Sequence, residues 1–124
     1  MDLTPISSTG RQVVERYAAS GFRVSGVIYS GPVLVFPDRT ISWDAASASD
    51  VTWESLAPVI EHGGMEILLL GLGRSASAVP AEVRTALRAA GIRLEAMDTG
   101  AACRTYNVLV AEDRRVAAAL ILPT

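Results

Sequence analysis

Lysine is missing: all eleven cationic side chains are arginine. With no side-chain amine there is no Schiff-base chemistry, no pyridoxal-phosphate attachment and no P-loop lysine to grip a phosphate. Cysteine occurs once, as Cys103, and histidine once, as His62. No internal disulfide can form and no Cys/His zinc tetrad can be assembled, so a reducing, cytoplasmic setting is expected. Charge is sparse too, at 19% of residues with a net charge of −2 and a pI near 5.3. The pair Arg114-Arg115 is too short to be a footprint for phosphate backbones, so nucleic acid is not an expected partner. The first eight residues have neither a basic start nor an apolar run of secretory length, and no signal peptide is expected. The longest apolar run, residues 116–122, is far below the roughly 20 residues that cross a bilayer as a helix. Direct membrane insertion is therefore not expected, and work at a membrane would go through a partner.

What is present points to one α/β domain. A chain of 124 residues with 50% hydrophobic content is long enough for a single core and short for two. Residues 1–20 mix small polar groups with Val13, Val14 and Tyr17 and read as a loosely held entry segment or a short strand and turn. Strands are expected at 22–29, 33–36 and 40–43, with Ser30-Gly31 as the hairpin turn and Pro32 and Pro37 as edge markers, so the first third reads as a β-meander. Thr52 can cap a short helix carrying Trp53, Leu56, Val59 and Ile60. Pro58 should start or kink it, and His62-Gly63-Gly64 should end it. Residues 66–70 are the most buried-looking strand. Pro80 suits the first position of a helix whose face is Val83, Leu87 and Ala90, Gly91 stops it, and 92–97 is a strand again. That βαβ unit predicts parallel strands with a right-handed crossover. A helix from Thr99 to about Glu112, a turn at Asp113-Arg114-Arg115 and a strand over 116–122 complete the chain.

The densest polar cluster is the stretch Asp98-Thr99-Gly100-Ala101-Ala102-Cys103-Arg104-Thr105-Tyr106-Asn107. Asp98 or Thr99 can cap the helix, and Ala102, Tyr106, Leu109 and Val110 share one face. Loops after parallel strands gather at the carboxyl edge of a sheet, where α/β domains bind ligands, so Gly73, Arg74, Asp98, Thr99 and Arg104 form a candidate pocket for a small anion. The alternative is structural: a cap at Asp98 or Thr99, Asn107 satisfying loop backbone, and Arg104 paired with a carboxylate. Gly71-Leu72-Gly73-Arg74-Ser75-Ala76 matches the dinucleotide fingerprint, but the mechanism needs the turn to run straight into a helix, and this helix starts near Pro80. Cys103, in the first helical turn beside Arg104, has thiolate-favouring neighbours yet no evident base, and a small buried cysteine is the commoner fate. No catalytic set, metal set or cofactor is expected. Trp43, Trp53 and Tyr29 read as core or hinge packing, or as anchors for an interface.

Together, Tyr29-Ser30-Gly31-Pro32-Val33-Leu34-Val35, Trp43, Leu69-Leu70-Gly71-Leu72-Gly73, Gly91-Ile92 with Glu95-Ala96-Met97, and Ala101-Ala102-Cys103-Arg104-Thr105-Tyr106-Asn107-Val108-Leu109 resemble a known family. It is the family of small α/β Mth-like domains of unknown function that includes the mitochondrial NADH:ubiquinone oxidoreductase complex assembly factor 3 and the adipogenesis-associated Mth-like domain-containing protein. The resemblance implies a three-layer domain around a mixed, partly parallel central sheet. For one branch it also implies a role in assembling a membrane respiratory complex, and it carries over no catalytic residues. The expectation is thus a non-enzymatic interaction or assembly-type domain with protein partners, with self-association open. The alternative is a small-ligand or anion-binding protein, or an enzyme, using the carboxyl edge.

Overall fold

Runs that are apolar at every residue need both faces covered, and the three longest become neighbours at the centre of the fold. The computed structural model describes residues 1–3, 10–75 and 78–123. In chain order the strands and helices are β1 Val14–Ala18, β2 Gly21–Val24, β3 Val27–Tyr29, β4 Val33–Val35, β5 Thr40–Ser42, α1 Ala57–His62, β6 Ile67–Gly71, α2 Ala81–Ala89, β7 Arg93–Met97, α3 Thr99–Ala111 and β8 Val116–Leu120. The central sheet runs β5-β4-β8-β6-β7. Strand β4 is antiparallel to β5 and β8, while β8, β6 and β7 are mutually parallel, with Ile67 opposite Arg93 and Gly71 opposite Met97. The sheet is mixed and the β6-α2-β7 pair is parallel, as the sequence predicts.

Alternation along these strands sorts the core into two halves. Leu34, Leu68, Leu70, Ala117 and Ala119 meet Val59 of α1 and Val83 and Leu87 of α2. On the other face Val33, Val35, Ile67, Leu69, Val116, Ala118 and Leu120 meet Ala102, Cys103, Tyr106 and Val110 of α3, with Val14, Phe22 and Val24 of a smaller sheet. Three layers result: α1 and α2, the central sheet, then α3 beside the small sheet.

The N-terminal meander is that small antiparallel sheet, β1-β2-β3. Its membership corrects the sequence reading in two places. Residues 22–29 are not one strand but the hairpin of β2 and β3, closed by Ser25 and Gly26 with φ of 45° and 86°. Two successive positive φ angles make the mirror-image two-residue turn whose twist suits flanking strands. The early alternation Phe22-Arg23-Val24-Ser25 runs straight into the turn, which hides its start, and Ser30-Gly31 instead leads out of the small sheet. Strands β4 and β5, read as part of the meander, belong to the central sheet, because β4 pairs with β8 from the far end of the chain.

Of the two readings of the entry segment, the short strand and turn is the one found: β1 lies there, and Val13 and Val14 are buried. Residues 4–9, with Pro5 and Ile6, lie outside the described residues. The helix expected from Thr52 begins only at Ala57. Thr52 and Ser55 instead close a local turn, the Thr52 N–H donating to Ser55 Oγ at 3.0 Å and the Ser55 N–H to Thr52 Oγ1 at 3.1 Å. Pro58 then falls in the first helical turn, where its missing N–H costs nothing. Pro80 precedes α2 as its cap position instead of being its first helical residue.

Candidate functional site

Helix α3 begins at the carboxyl ends of the parallel strands, and its head is built by two short polar side chains. Asp98 holds extended backbone and its Oδ1 accepts the Ala101 N–H at 2.9 Å, so of the two caps the sequence offers, Asp98 and Thr99, Asp98 is the one used. Thr99 is fully buried. Its hydroxyl donates to the Ile121 carbonyl at 2.6 Å and accepts the Gly73 N–H at 2.9 Å, while its own N–H donates to the Gly73 carbonyl at 2.9 Å. One threonine thus ties the loop after β6, the start of α3 and the end of β8. Gly71 makes room for this: a Cβ there would sit 3.0 Å from Thr99 Cα and 3.2 Å from Ala102 Cβ.

The structure therefore brings Gly73, Asp98 and Thr99 together. Arg74, next in the chain to Gly73, is exposed. Arg104 is exposed one turn further along α3, where its Nη1 donates to the Tyr17 hydroxyl at 2.8 Å. Gly100 lies beneath that contact, since a Cβ there would approach the Tyr17 hydroxyl oxygen to 2.7 Å. The amides that a helix N-terminus offers to an anion are engaged at three positions: Thr99 to Gly73, Ala101 to the Asp98 side chain and Ala102 to the Asp98 carbonyl. Surface depressions of about 390 and 410 Å³ lie elsewhere, the first lined by Arg84, Arg88 and Arg93 and the second by Asp44, Asp50 and Glu54. Gly73 turns at φ 86°, and α2 begins only at Ala81, so the dinucleotide fingerprint lacks the helix start its mechanism requires. Ala76 lies outside the described residues.

The next turn of α3 carries two polar groups whose role sequence reasoning placed too loosely. Asn107 is 4% exposed; its Oδ1 accepts the Val14 N–H at 3.0 Å and its Nδ2 donates to the Val14 carbonyl at 2.8 Å. Tyr106 donates its hydroxyl to the Gln12 carbonyl at 2.9 Å, and burial pushes that phenol well above the ordinary tyrosine range. These bonds dock β1 on α3. Nothing local in the sequence names the partner of Asn107, 93 residues away.

Cys103 is buried, and burial pushes its thiol up to about 12, with Arg104 pulling only weakly the other way. The thiolate is the reactive form. A thiol reagent at neutral pH is expected to label the folded protein far more slowly than the urea-unfolded chain. Equal rates would contradict this burial.

Trp43 is core, its Nε1 donating to the Ser55 carbonyl at 2.8 Å, whereas Trp53 is 48% exposed. His62 stacks on Phe36 with ring centroids 4.7 Å apart, and its Nε2 lies 2.8 Å from Asp38 Oδ1. That hydrogen bond is the main reason the Asp38 carboxyl lies below its ordinary value of 3.8. A lowered carboxyl pKa stabilises the fold above the unfolded value, and the contribution is lost as pH falls through the folded one. In His62→Ala the Asp38 titration, followed by carbonyl-carbon NMR, is expected to move up toward 3.8. An unchanged titration would show that His62 is not the cause.

The family described as "Protein of unknown function (DUF498/DUF598)" matches residues 14–121. The chain belongs to it. The DUF498/DUF598 match starts at the first residue of β1 and ends one residue past β8. Among curated relatives, a Danio rerio protein named NADH dehydrogenase [ubiquinone] 1 alpha subcomplex assembly factor 3 is 38% identical over 112 residues, covering 90% of this chain and 64% of the relative. The protein of the same name from Xenopus tropicalis is 35% identical, covering 89% of this chain and 61% of its own length. The chain thus spans about three fifths of the length of these relatives. Two solved structures share the fold. One, described as an outer membrane protein from Bartonella henselae, has a TM-score of 0.85 at 35% identity, over 94% of this chain and 98% of that one. The other, a Mth938-like domain from Bordetella pertussis, has a TM-score of 0.83 at 29% identity, over 99% of this chain and 93% of that one. The Mth-like resemblance and the three-layer fold it implies are therefore correct. Among the described residues no helix is long and apolar enough to cross a membrane, and no group of three or more His, Cys, Asp or Glu side chains is placed to hold a metal ion.

Proposed function

We propose that this chain is a non-enzymatic interaction domain that acts in the assembly of a protein complex. One contrast carries the reading. The Asp98 carboxylate, the Thr99 hydroxyl and the amides of Thr99, Ala101 and Ala102 are bonded inside the fold, while Val27 and Ile28 on β3 are 52% and 78% exposed. Strand β3 is the outer strand of the small sheet and carries no charged side chain. Proteins guard such edges with charge or proline unless another chain uses them. The relatives named as assembly factors of NADH dehydrogenase support an assembly role, and support a membrane respiratory complex as its object. The second reading is a small-anion site of Gly73, Arg74, Asp98, Thr99 and Arg104. It draws its support from the contact between Gly73 and Thr99, which brings the exposed Arg74 toward the head of α3.

The test is affinity purification after mild crosslinking in the native organism, with the wild type and Ile28→Asp. The wild type is expected to recover a defined protein partner in stoichiometric amount, and Ile28→Asp to lose it. Recovery no greater than from a tag-only control would contradict the proposal.

A further inference from the structure

Among the described residues β7 pairs with β6 on one side and with no strand on the other, so its outer side is an open sheet edge. Two hydrogen bonds determine which backbone groups point outward. Arg93 donates its N–H to the Glu66 carbonyl, and the Met97 carbonyl accepts the Leu72 N–H, both at 2.9 Å. Alternate residues of a parallel ladder face the same neighbour, so Arg93, Glu95 and Met97 turn their backbone groups toward β6. Leu94 and Ala96 turn theirs to the open edge. Ile92 offers only its carbonyl there, because its N–H is bonded to Leu87.

We infer that this edge pairs with the same edge of a second copy, antiparallel about a twofold axis at Leu94. In that register the two Leu94 residues exchange a pair of backbone hydrogen bonds, and each Ala96 N–H reaches the Ile92 carbonyl of the other copy. The same register sets Arg93 opposite Glu95 of the other copy, and Glu95 opposite its Arg93, in the close non-hydrogen-bonded positions where opposite charges attract. Sliding by two residues one way opposes Glu95 to Glu95, and the other way Arg93 to Arg93. An odd shift sets outward backbone groups against inward ones. Only the register at Leu94 satisfies both the backbone and the charges. Within one chain Arg93 and Glu95 are held loosely, at 3.8 Å with side chains 75% and 49% exposed, so they are free to pair across the axis. Arg84 and Arg88 of α2 border the same edge and bring like charge toward the axis from both copies. That repulsion works against the ion pairs, so a weak dimer that forms only at high protein concentration is expected.

Sedimentation velocity on the full chain, from about 10 µM to about 1 mM, tests this. The wild type is expected to shift toward dimer as concentration rises. Arg93→Glu or Glu95→Arg alone is expected to weaken association about tenfold or more, and the double variant Arg93→Glu with Glu95→Arg to restore it. Both side chains are exposed, and circular dichroism verifies that each variant is folded. A wild type that stays monomeric throughout overturns the inference and makes the charges a guard against edge pairing. A dimer indifferent to the single variants, or not recovered by the double one, overturns it as well and turns attention to the edge at β3. The outcome is independent of partner capture through Ile28.

Discussion

Asn107→Leu is expected to destabilise the protein by about 3 kcal/mol, because it strands the N–H and carbonyl of Val14 without partners in a buried position. Each such group costs about 1–3 kcal/mol when desolvated and unpaired. For a chain of this size the melting midpoint falls by roughly 10–15 °C. The loss is long-range, since α3 would release β1 and with it the small sheet, including the exposed β3 edge. Urea unfolding followed by tryptophan fluorescence measures the change. A loss below about 0.5 kcal/mol, the range of an ordinary surface substitution, would mean that water replaces the side chain at no cost and that β1 is not held from α3.

Gly21→Ala is the second large effect, and it acts through the backbone. Gly21 has φ 143°, and a Cβ built on it would lie 2.0 Å from the Tyr29 carbonyl oxygen and 3.0 Å from Ser30 Cα. Those atoms are main chain and cannot rotate away. Strand β3 would have to lift from β2, at a cost on the order of 3 kcal/mol, well above the gain from a less flexible unfolded chain. Gly31→Ala is the control: no atom lies within 4 Å of its Cβ and its φ is not in the left-handed region, so its effect should stay within about 0.5 kcal/mol. Equal stabilities of the two variants, measured by urea unfolding, would contradict the packing of β3 over Gly21.

The parts legible in the sequence are those with a local cause. Asp98 announces the start of α3 because a short acceptor can reach the third following N–H, and Gly63 and Gly91 announce helix ends because their φ of 73° and 78° suits glycine. The β6-α2-β7 unit was readable from the change of hydrophobic period between its elements. What escaped has a distant cause or a disguised one. The pairing of β4 with β8 joins opposite ends of the chain, so nothing near Val33 reveals that it leaves the meander. The turn at Ser25-Gly26 falls where a small polar residue would sit in a continuing strand. At the candidate site, a cap at Asp98 or Thr99 is readable from residue type, and the structure gives it to Asp98. The bridging role of Thr99 required the loop after β6 and the end of β8 to meet at one hydroxyl, which no spacing encodes.

If the polar groups at the head of α3 serve the fold and function lies on a protein-binding surface, as proposed, no anion should bind at that head. A thermal melt of the wild type and Arg104→Ala, in plain buffer and with phosphate, sulfate or common nucleotides at about 10 mM, tests this most directly, because a ligand that binds the native state alone raises the midpoint by mass action. The expected result is that no anion moves the wild-type midpoint, while Arg104→Ala lowers it by about 2–4 °C in plain buffer through loss of the exposed hydrogen bond to Tyr17. A rise of several degrees in the wild type with phosphate or a nucleotide, absent in Arg104→Ala, would contradict the account and make the carboxyl edge an anion site.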